Sequence, residues 1–491
     1  MPVTNATKAV ATRKRLFVFC DGTWQDGLNS KRPPTNVVTL TRCLEGVADD
    51  DYLQVVYYDN GVGNATNCYA HFVEGATGRG MSSKIRNAYS FLSHNYNFNN
   101  EGDEIFLIGY SRGAFAVQCL ASFIGHTGLL QKQYLYYLRG LFKLWANREF
   151  TATCHPGQKP LQKKLEEHLK DFEAEKLLRK VKIKACVVWD TVSNLGLPRP
   201  WAKPLAFVGS VIPQCVENAF QALALDEARA QFKPCVWKAK EAGNTYAKQC
   251  WFLGSHADVG GNGDAALGAI ALIWVIAQLQ EISGATFNQD EISKHLKHRL
   301  LEWDVDVSPI LGQFKQTTIL SGRSSLGLST KSSALWWLSG FKRRRPHMGQ
   351  KHNQPNLESL ALVHFTVRLS MAQNRHVCRV LMKWENKLGN DGRVYWERHA
   401  ETLAEDTLRG NDADPCHEHA ILKDWCDNHD TLQTDRSRFA ARVHGLVYEP
   451  VMDLESRLGR FAKFLGKHML FDEDNLLAPE SMYRPVGREM R

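Results

Sequence analysis

Five short apolar runs, at residues 15–20, 54–58, 104–108, 182–189 and 248–253, each stop at a cluster of small, polar or ionisable residues. The runs are rich in Val, Ile, Phe, Tyr and Trp and nearly continuous in apolar character, which is the pattern of strands covered on both faces. Helix-like stretches separate them, at 35–45 after the first run, 84–95 before the third and 114–124 after it. This alternation predicts an α/β fold with a doubly wound, mostly parallel sheet. In such a sheet the carboxyl ends of the strands share one side, and ligands bind there. The clusters at those ends are Asp21-Gly22-Thr23, Asp59-Asn60-Gly61, Gly109-Tyr110-Ser111, Asp190-Thr191 and Gly254-Ser255-His256. An acid, a serine and a histidine are therefore expected to meet in one cleft.

The rest of the chain divides around this sheet. Residues 14–300 are expected to form one catalytic-type domain. Residues 132–180 interrupt it with an amphipathic half carrying Tyr134, Leu135, Leu138, Leu141, Phe142 and Trp145, and then an exposed half dense in Lys and Glu. That insertion reads as either a lid over the cleft or a plain helical crossover. The apolar run at 265–279 is too short to span a bilayer, which takes about 18–20 residues, and reads as a core helix. Beyond residue 300 the periodic signal fades, and 301–491 is expected to be a mostly helical or irregular extension packed on the domain.

Composition narrows the class. A hydrophobic fraction of 44% and a charged fraction of 23% argue against a disordered chain. A net charge of +9 over 491 residues is mild, so no nucleic-acid partner is expected. The basic clusters Arg13-Lys14-Arg15 and Lys342-Arg343-Arg344-Arg345 read as solvated surface patches. With Trp336-Trp337 just ahead, the second also allows transient contact with a membrane surface. The 12 cysteines include no CxxC pair, which suggests reduced, buried thiols. The first fifteen residues lack an apolar signal core. Together these predict an intracellular, cytoplasmic protein. Cys416, His417, His419, Cys426 and His429 match no standard zinc spacing, so no metal site is expected. Residues 75–80 (GATGRG) are too loose for a nucleotide loop, and no cofactor is expected.

The chemistry centres on Gly109-Tyr110-Ser111-Arg112-Gly113. A strand-like run precedes this pattern and a helix-like run follows it, the context of a nucleophile elbow. The backbone N–H of Arg112 would hold half of an oxyanion hole, with Gly22 or Thr23 supplying the rest. A serine needs a base to take its proton and an acid to orient that base. His256 and Asp190 fit these roles; His364 is a rival base, and Asp226 and Asp258 are rival acids. Asp21, Tyr110 and Asp258 are the polar neighbours expected to face substrate. The expected activity is hydrolysis of a small-molecule or lipid ester, and the alternative is a non-catalytic binding or scaffolding protein.

Phe19-Cys20-Asp21-Gly22-Thr23-Trp24, Gly109-Tyr110-Ser111-Arg112-Gly113-Ala114, Val188-Trp189-Asp190-Thr191-Val192 and Gly254-Ser255-His256-Ala257-Asp258-Val259-Gly260-Gly261 occur in that order. So does Leu225-Asp226-Glu227-Ala228-Arg229, with Phe232 and Trp237. This series resembles an α/β-hydrolase family that includes the catalytic domains of bacterial type VI secretion phospholipase effectors and many fungal proteins. The resemblance covers residues 14–280, with fainter likeness to about 380. It implies an α/β-hydrolase-type sheet and a phospholipase-like serine esterase, with Ser111, Asp190 and His256 as the triad. One departure is Gln221, where members of that family often carry His.

Overall fold

The structure is a computed structural model that describes residues 13–22, 33–60, 79–99, 102–148, 161–192, 205, 208, 211–238, 244–292, 294–295, 343–346, 361–364, 366–368, 378, 380–389, 394–398 and 401–406. The five apolar runs form five strands: β1 (Lys14–Cys20), β2 (Leu53–Asp59), β3 (Glu104–Tyr110), β6 (Ile183–Trp189) and β8 (Tyr246–Phe252). A further strand, β7 (Val216–Ala224), lies between β6 and β8. It was not legible in the sequence because Glu217, Asn218 and Gln221 break up a run otherwise rich in Ala. All these strands pair in parallel with their neighbours.

The sheet also runs past the expected domain boundary at residue 300. Strand β9 (Ala361–His364) pairs in parallel with β8, and β12 (Glu401–Asp406) pairs in parallel with β9. Strands β11 (Val394–Arg398) and β10 (Glu385–Leu388) then close that edge in antiparallel fashion. The ten strands lie in the order β10-β11-β12-β9-β8-β7-β6-β3-β1-β2. The described part of the expected extension is chiefly strand and belongs to the central sheet.

Both faces of the sheet are buried, as continuous apolar strands require. Leu16, Val18 and Cys20 of β1 pack with helices α2 (Arg79–Asn95), α3 (Arg112–Thr127) and α4 (Leu138–Asn147). Phe17 and Phe19 point the other way, into a core shared with α1 (Asn36–Cys43) and α7 (Ala265–Ile282). The run read as a core helix is α7, and Trp274 at its centre has no exposed surface. Among the described residues no helix is long and apolar enough to cross a membrane.

The insertion is anchored away from Ser111. Its ends pair as β4 (Leu129–Leu130) with β5 (Leu178–Arg179), just beyond the carboxyl end of α3. Phe142 and Trp145 of α4 meet Phe123 at centroid distances of 5.2 and 5.0 Å. Phe123 lies twelve residues after Ser111, or about 18 Å along the helix at 1.5 Å per residue. Helix α5 (Leu161–Ala174) packs outside α4 through Phe172 and Tyr137, 4.9 Å apart. In its described residues the insertion is therefore braced on the far end of α3.

The basic cluster at the start of β1 is not simply solvated either. Arg15 is buried, with Nε on Glu104 at 2.7 Å, its terminal nitrogens on Asp50, and the guanidinium 4.1 Å from the Tyr52 ring centroid.

Trp274 ties the extension to the domain. Its indole N–H donates to Asp406 Oδ2 at 2.7 Å, and Lys248 Nζ lies 2.9 Å from Asp406 Oδ1. Trp274→Ala is expected to cost about 3–5 kcal/mol, as for a fully buried large aromatic. Trp274→Phe should cost less, since it keeps most of the ring and loses one bond. Urea denaturation checks this; a loss below about 1 kcal/mol for the alanine variant contradicts the assigned packing.

Candidate functional site

Ser111 leaves β3 at a sharp turn and caps α3, with φ 57° and ψ −118°. A non-glycine residue held at positive φ costs about 1–3 kcal/mol and persists only where its surroundings over-determine it. Here the Ser111 N–H donates to the Trp189 carbonyl at 3.0 Å, and the Ser111 carbonyl accepts from Val192 N–H at 3.2 Å. The turn also presses on β1: a Cβ at Gly113 would run into the carbonyl oxygens of Cys20 and Asp21. Glycine at 113 is thus required by close approach. Asp190, at the end of the neighbouring strand β6, also has positive φ, at 43°.

His256 begins the short helix α6 (His256–Val259), two turn residues after Leu253. Its Nε2 is 2.8 Å from Ser111 Oγ, and its Nδ1 is 2.5 Å from Asp190 Oδ2. An ionised carboxylate only accepts, so Nδ1 carries the proton toward Asp190 and the neutral ring presents Nε2 as acceptor to the Ser111 hydroxyl. The imidazole is fixed from several directions. Tyr110 stacks on it at 4.9 Å and Phe232 meets it edge-on at 4.8 Å. Its backbone N–H reaches Glu227 Oε2 at 3.3 Å, and its carbonyl accepts from Tyr110 Oη at 3.1 Å. Gly260 leaves the space that the Tyr110 ring fills, since a Cβ there would overlap that ring.

Asp190 has no exposed surface. Oδ1 accepts from Ala224 N–H at 3.0 Å and from Arg344 Nη1; Oδ2 accepts from Arg344 Nη2 at 2.8 Å as well as from His256. Burial pushes this carboxyl up, but the Arg344 guanidinium and the bonds from His256 and Arg344 outweigh it. They hold the group well below the usual carboxylate range. Arg344 itself is buried, while Arg343 and Arg345 are exposed. Reading 342–345 as a solvated patch is therefore corrected at Arg344. Sequence inspection missed it because nothing local separates three consecutive arginines. A second buried pair stands close by: Arg229 donates to both oxygens of Glu227 at 2.8 and 2.6 Å and lies 3.9 Å from the Phe232 ring centroid. Burial alone would raise Glu227, yet the Arg229 bonds leave it below its ordinary value.

The other expected residues fall in varied places. The Arg112 N–H opens α3, where a helix has no acceptor of its own for it. Burial lowers the Arg112 guanidinium to about 10. Gly22 N–H donates to Asp21 Oδ1 at 2.7 Å and is already engaged there. Thr23, Trp24, Trp336, Trp337, Cys416, His417, His419, Cys426 and His429 lie outside the described residues. Among the described residues there is no cluster of His, Cys, Asp or Glu suited to a metal ion. Asp21 is buried with Oδ2 bound by Thr35 and Tyr58 at 2.8 and 2.9 Å, and Tyr110 packs beneath His256. Asp258 accepts from Ser255 N–H and Oγ–H at 2.7 Å each and from Asp264 N–H at 2.8 Å. The polar atoms of all three bond within the protein, to Thr35 and Tyr58, to the His256 carbonyl, and to Ser255 and Asp264. Of the rivals, His364 binds Thr366 Oγ1 at 2.8 Å and stacks on Phe252, and Asp226 accepts from Gly254 N–H at 2.9 Å. Gln221 donates to the Cys235 carbonyl at 2.7 Å and to Thr191 Oγ1 at 3.4 Å, bracing the residue after Asp190.

Residues 14–278, more than half of the chain, match the family model described as "T6SS, Phospholipase effector Tle1-like, catalytic domain". The uncharacterized protein YEL023C of Saccharomyces cerevisiae is 25% identical over 243 residues, covering 47% of this chain and 33% of the yeast protein. Among solved structures, the Tle1 effector bound to the VgrG spike of the type 6 secretion system is 17% identical over 51% of this chain and 52% of its own, at a TM-score of 0.27. The chain thus spans about a third of the yeast relative's length and about half of the effector's.

Asp21 supplies a pH test of this packing. Burial pushes its carboxyl up to about 6 from 3.8, against the bonds from Thr35, Gly22 and Tyr58. A folded value above the unfolded one means the folded state holds the proton more tightly. The associated stability is full below about 3.8 and is lost as pH rises through about 6. Asp21→Asn should remove that slope. Relative to the variant, the parent protein should lose about 2–3 kcal/mol between roughly pH 4 and pH 7. Urea denaturation across that range reads the difference, and parallel profiles would contradict it.

Proposed function

Given that the chain belongs to the family of Tle1-like phospholipase effector catalytic domains, we propose that it is a serine-dependent hydrolase of lipid or other carboxylic esters, acting through Ser111, His256 and Asp190 on an α/β-hydrolase-type sheet. The observation that carries this reading is the unbroken line from Ser111 Oγ through His256 to Asp190, with bonds of 2.8 and 2.5 Å. Each member sits at the carboxyl end of a different parallel strand, in the chain order Ser, Asp, His expected of that fold.

In the proposed reaction Ser111 Oγ attacks the acyl carbonyl carbon as its proton passes to His256 Nε2. The tetrahedral oxyanion is held by the Arg112 N–H, whose position at the start of α3 also places it in the favourable field of the helix. Thr23 N–H is the proposed second donor, since Gly22 N–H is turned to Asp21. Collapse breaks the ester C–O bond, and the proton moves from His256 to the departing alcohol. Water then attacks the acyl-serine by the same relay, releasing the carboxylic acid and restoring Ser111. Asp190 keeps the ring in the right tautomer and stabilises the imidazolium that forms in each step.

Full-length protein assayed on phosphatidylcholine vesicles and on a short-chain acyl ester tests this. Ser111→Ala and His256→Ala should each lower kcat by at least about 1,000-fold while leaving the circular dichroism spectrum unchanged. A fluorophosphonate probe should label the native parent and neither the heat-denatured protein nor Ser111→Ala. Full hydrolysis by folded Ser111→Ala would end the proposal.

A further inference from the structure

Arg344 lies well beyond the segment that matches the family model, yet it makes the densest contacts with Asp190 of any side chain described above. Nη1 and Nη2 divide between the two oxygens of Asp190, and each also donates to a carbonyl: Nη1 to Ala224 at 2.7 Å and Nη2 to Phe232 at 2.8 Å. One guanidinium thus spans the end of β6, the end of β7 and the turn whose Phe232 ring abuts His256.

Two physical points argue against a purely structural arginine. First, a buried ion pair is a poor stabiliser compared with apolar packing, because both ions lose their hydration. Second, among the described residues no acceptor meets the buried Nε–H of Arg344. A side chain placed for stability would satisfy that donor too. This pose instead gives priority to the two-pronged grip on Asp190. That grip leaves Oδ2 facing His256 Nδ1. Without it the carboxylate would keep one donor on each oxygen, from Ala224 N–H and the imidazole, and would be held less firmly about its last torsion, which is broad and soft for this residue type.

We propose that Arg344 is a positioning residue, supplied from the extension, that locks the Asp190 carboxylate in the orientation that aligns His256 with Ser111. The inference rests on the proposed hydrolase reading. It implies that residues 14–278 do not hold the complete site and that the segment 343–346 is part of the working enzyme. Arg344 touches no reacting atom; it acts through Asp190 and His256.

Full-length parent, Arg344→Ala and Arg344→Lys, assayed on a short-chain acyl ester with and without millimolar guanidinium, form the test, and equal urea is the neutral control. Arg344→Ala should lower kcat about 10- to 100-fold with KM changed less than about threefold, the size of effect seen when an orienting partner is lost. Guanidinium should restore part of that kcat by filling the vacated space beside Asp190, and urea should not. Neither additive should raise the rate of the parent or of Ser111→Ala. Arg344→Lys should fall between, because one ammonium reaches Asp190 but does not span both carbonyls. Folded Arg344→Ala with near-parental kcat, or equal rescue by urea, overturns the proposal. Should Arg344→Ala fail to fold, undiminished kcat in Arg344→Lys overturns it. If the parent shows no hydrolysis that depends on Ser111, the hydrolase reading itself fails. The grip is then judged by thermal melting: guanidinium raising the melting temperature of Arg344→Ala but not of the parent upholds it, and no such difference refutes it.

Discussion

The Asp190 carboxylate is enclosed by protein on all sides, and an isolated charge in that position would be too costly for the fold to keep. It survives because four N–H groups converge on its two oxygens: one from Ala224, one from His256 and two from Arg344. Satisfying this one anion brings together the ends of β6 and β7, the turn after β8 and a segment from beyond residue 300. The alignment of His256 on Ser111 follows from that convergence. The neighbouring Glu227–Arg229 pair repeats the arrangement on a smaller scale, fixing the His256 backbone through Glu227 and the Phe232 edge through Arg229.

Two of the four described non-glycine residues with positive φ lie at the same place. Ser111 and Asp190 both adopt positive φ, and they are coupled: Ser111 N–H bonds to Trp189, the residue before Asp190, while Val192 N–H bonds back to Ser111. Two adjacent parallel strands thus end in turns that brace each other. The close approach of Gly113 to the end of β1 and the packing of Tyr110 between His256 and Gly260 leave little room for either turn to relax. The backbone at Ser111 is thus over-determined by its surroundings, which is what lets a non-glycine residue persist at positive φ.

The extension is continuous with this framework. Parallel pairing of β8 with β9 and of β9 with β12, and the Trp274–Asp406–Lys248 contacts, make these strands part of the same sheet and core. Family membership accounts for residues 14–278, but the sheet edge and the buried Arg344 lie outside that segment.

The positions of Ser111, Asp190 and His256 were legible in the sequence because each follows a short, nearly continuous apolar run rich in β-branched and aromatic residues, and runs of that length alternating with helix-like stretches read as strands covered on both faces, whose ends share one edge. The parallel α/β class follows from the same local fact. Strand β7 escaped notice because its burial comes from neighbours on both sides, which permit Gln221 to bond to Cys235 and Thr191 within the core. The placement of His256 rather than His364 beside Ser111, the bonds that Asp21 and Asp258 make within their turns, and the burial of Arg344 between two exposed arginines were decided by tertiary structure. The physical reason is common to all of them. Chain pattern dictates which segments must leave water, whereas the role of a polar side chain depends on which partner reaches it across the fold. For Arg344 that partner, Asp190, is 154 residues away.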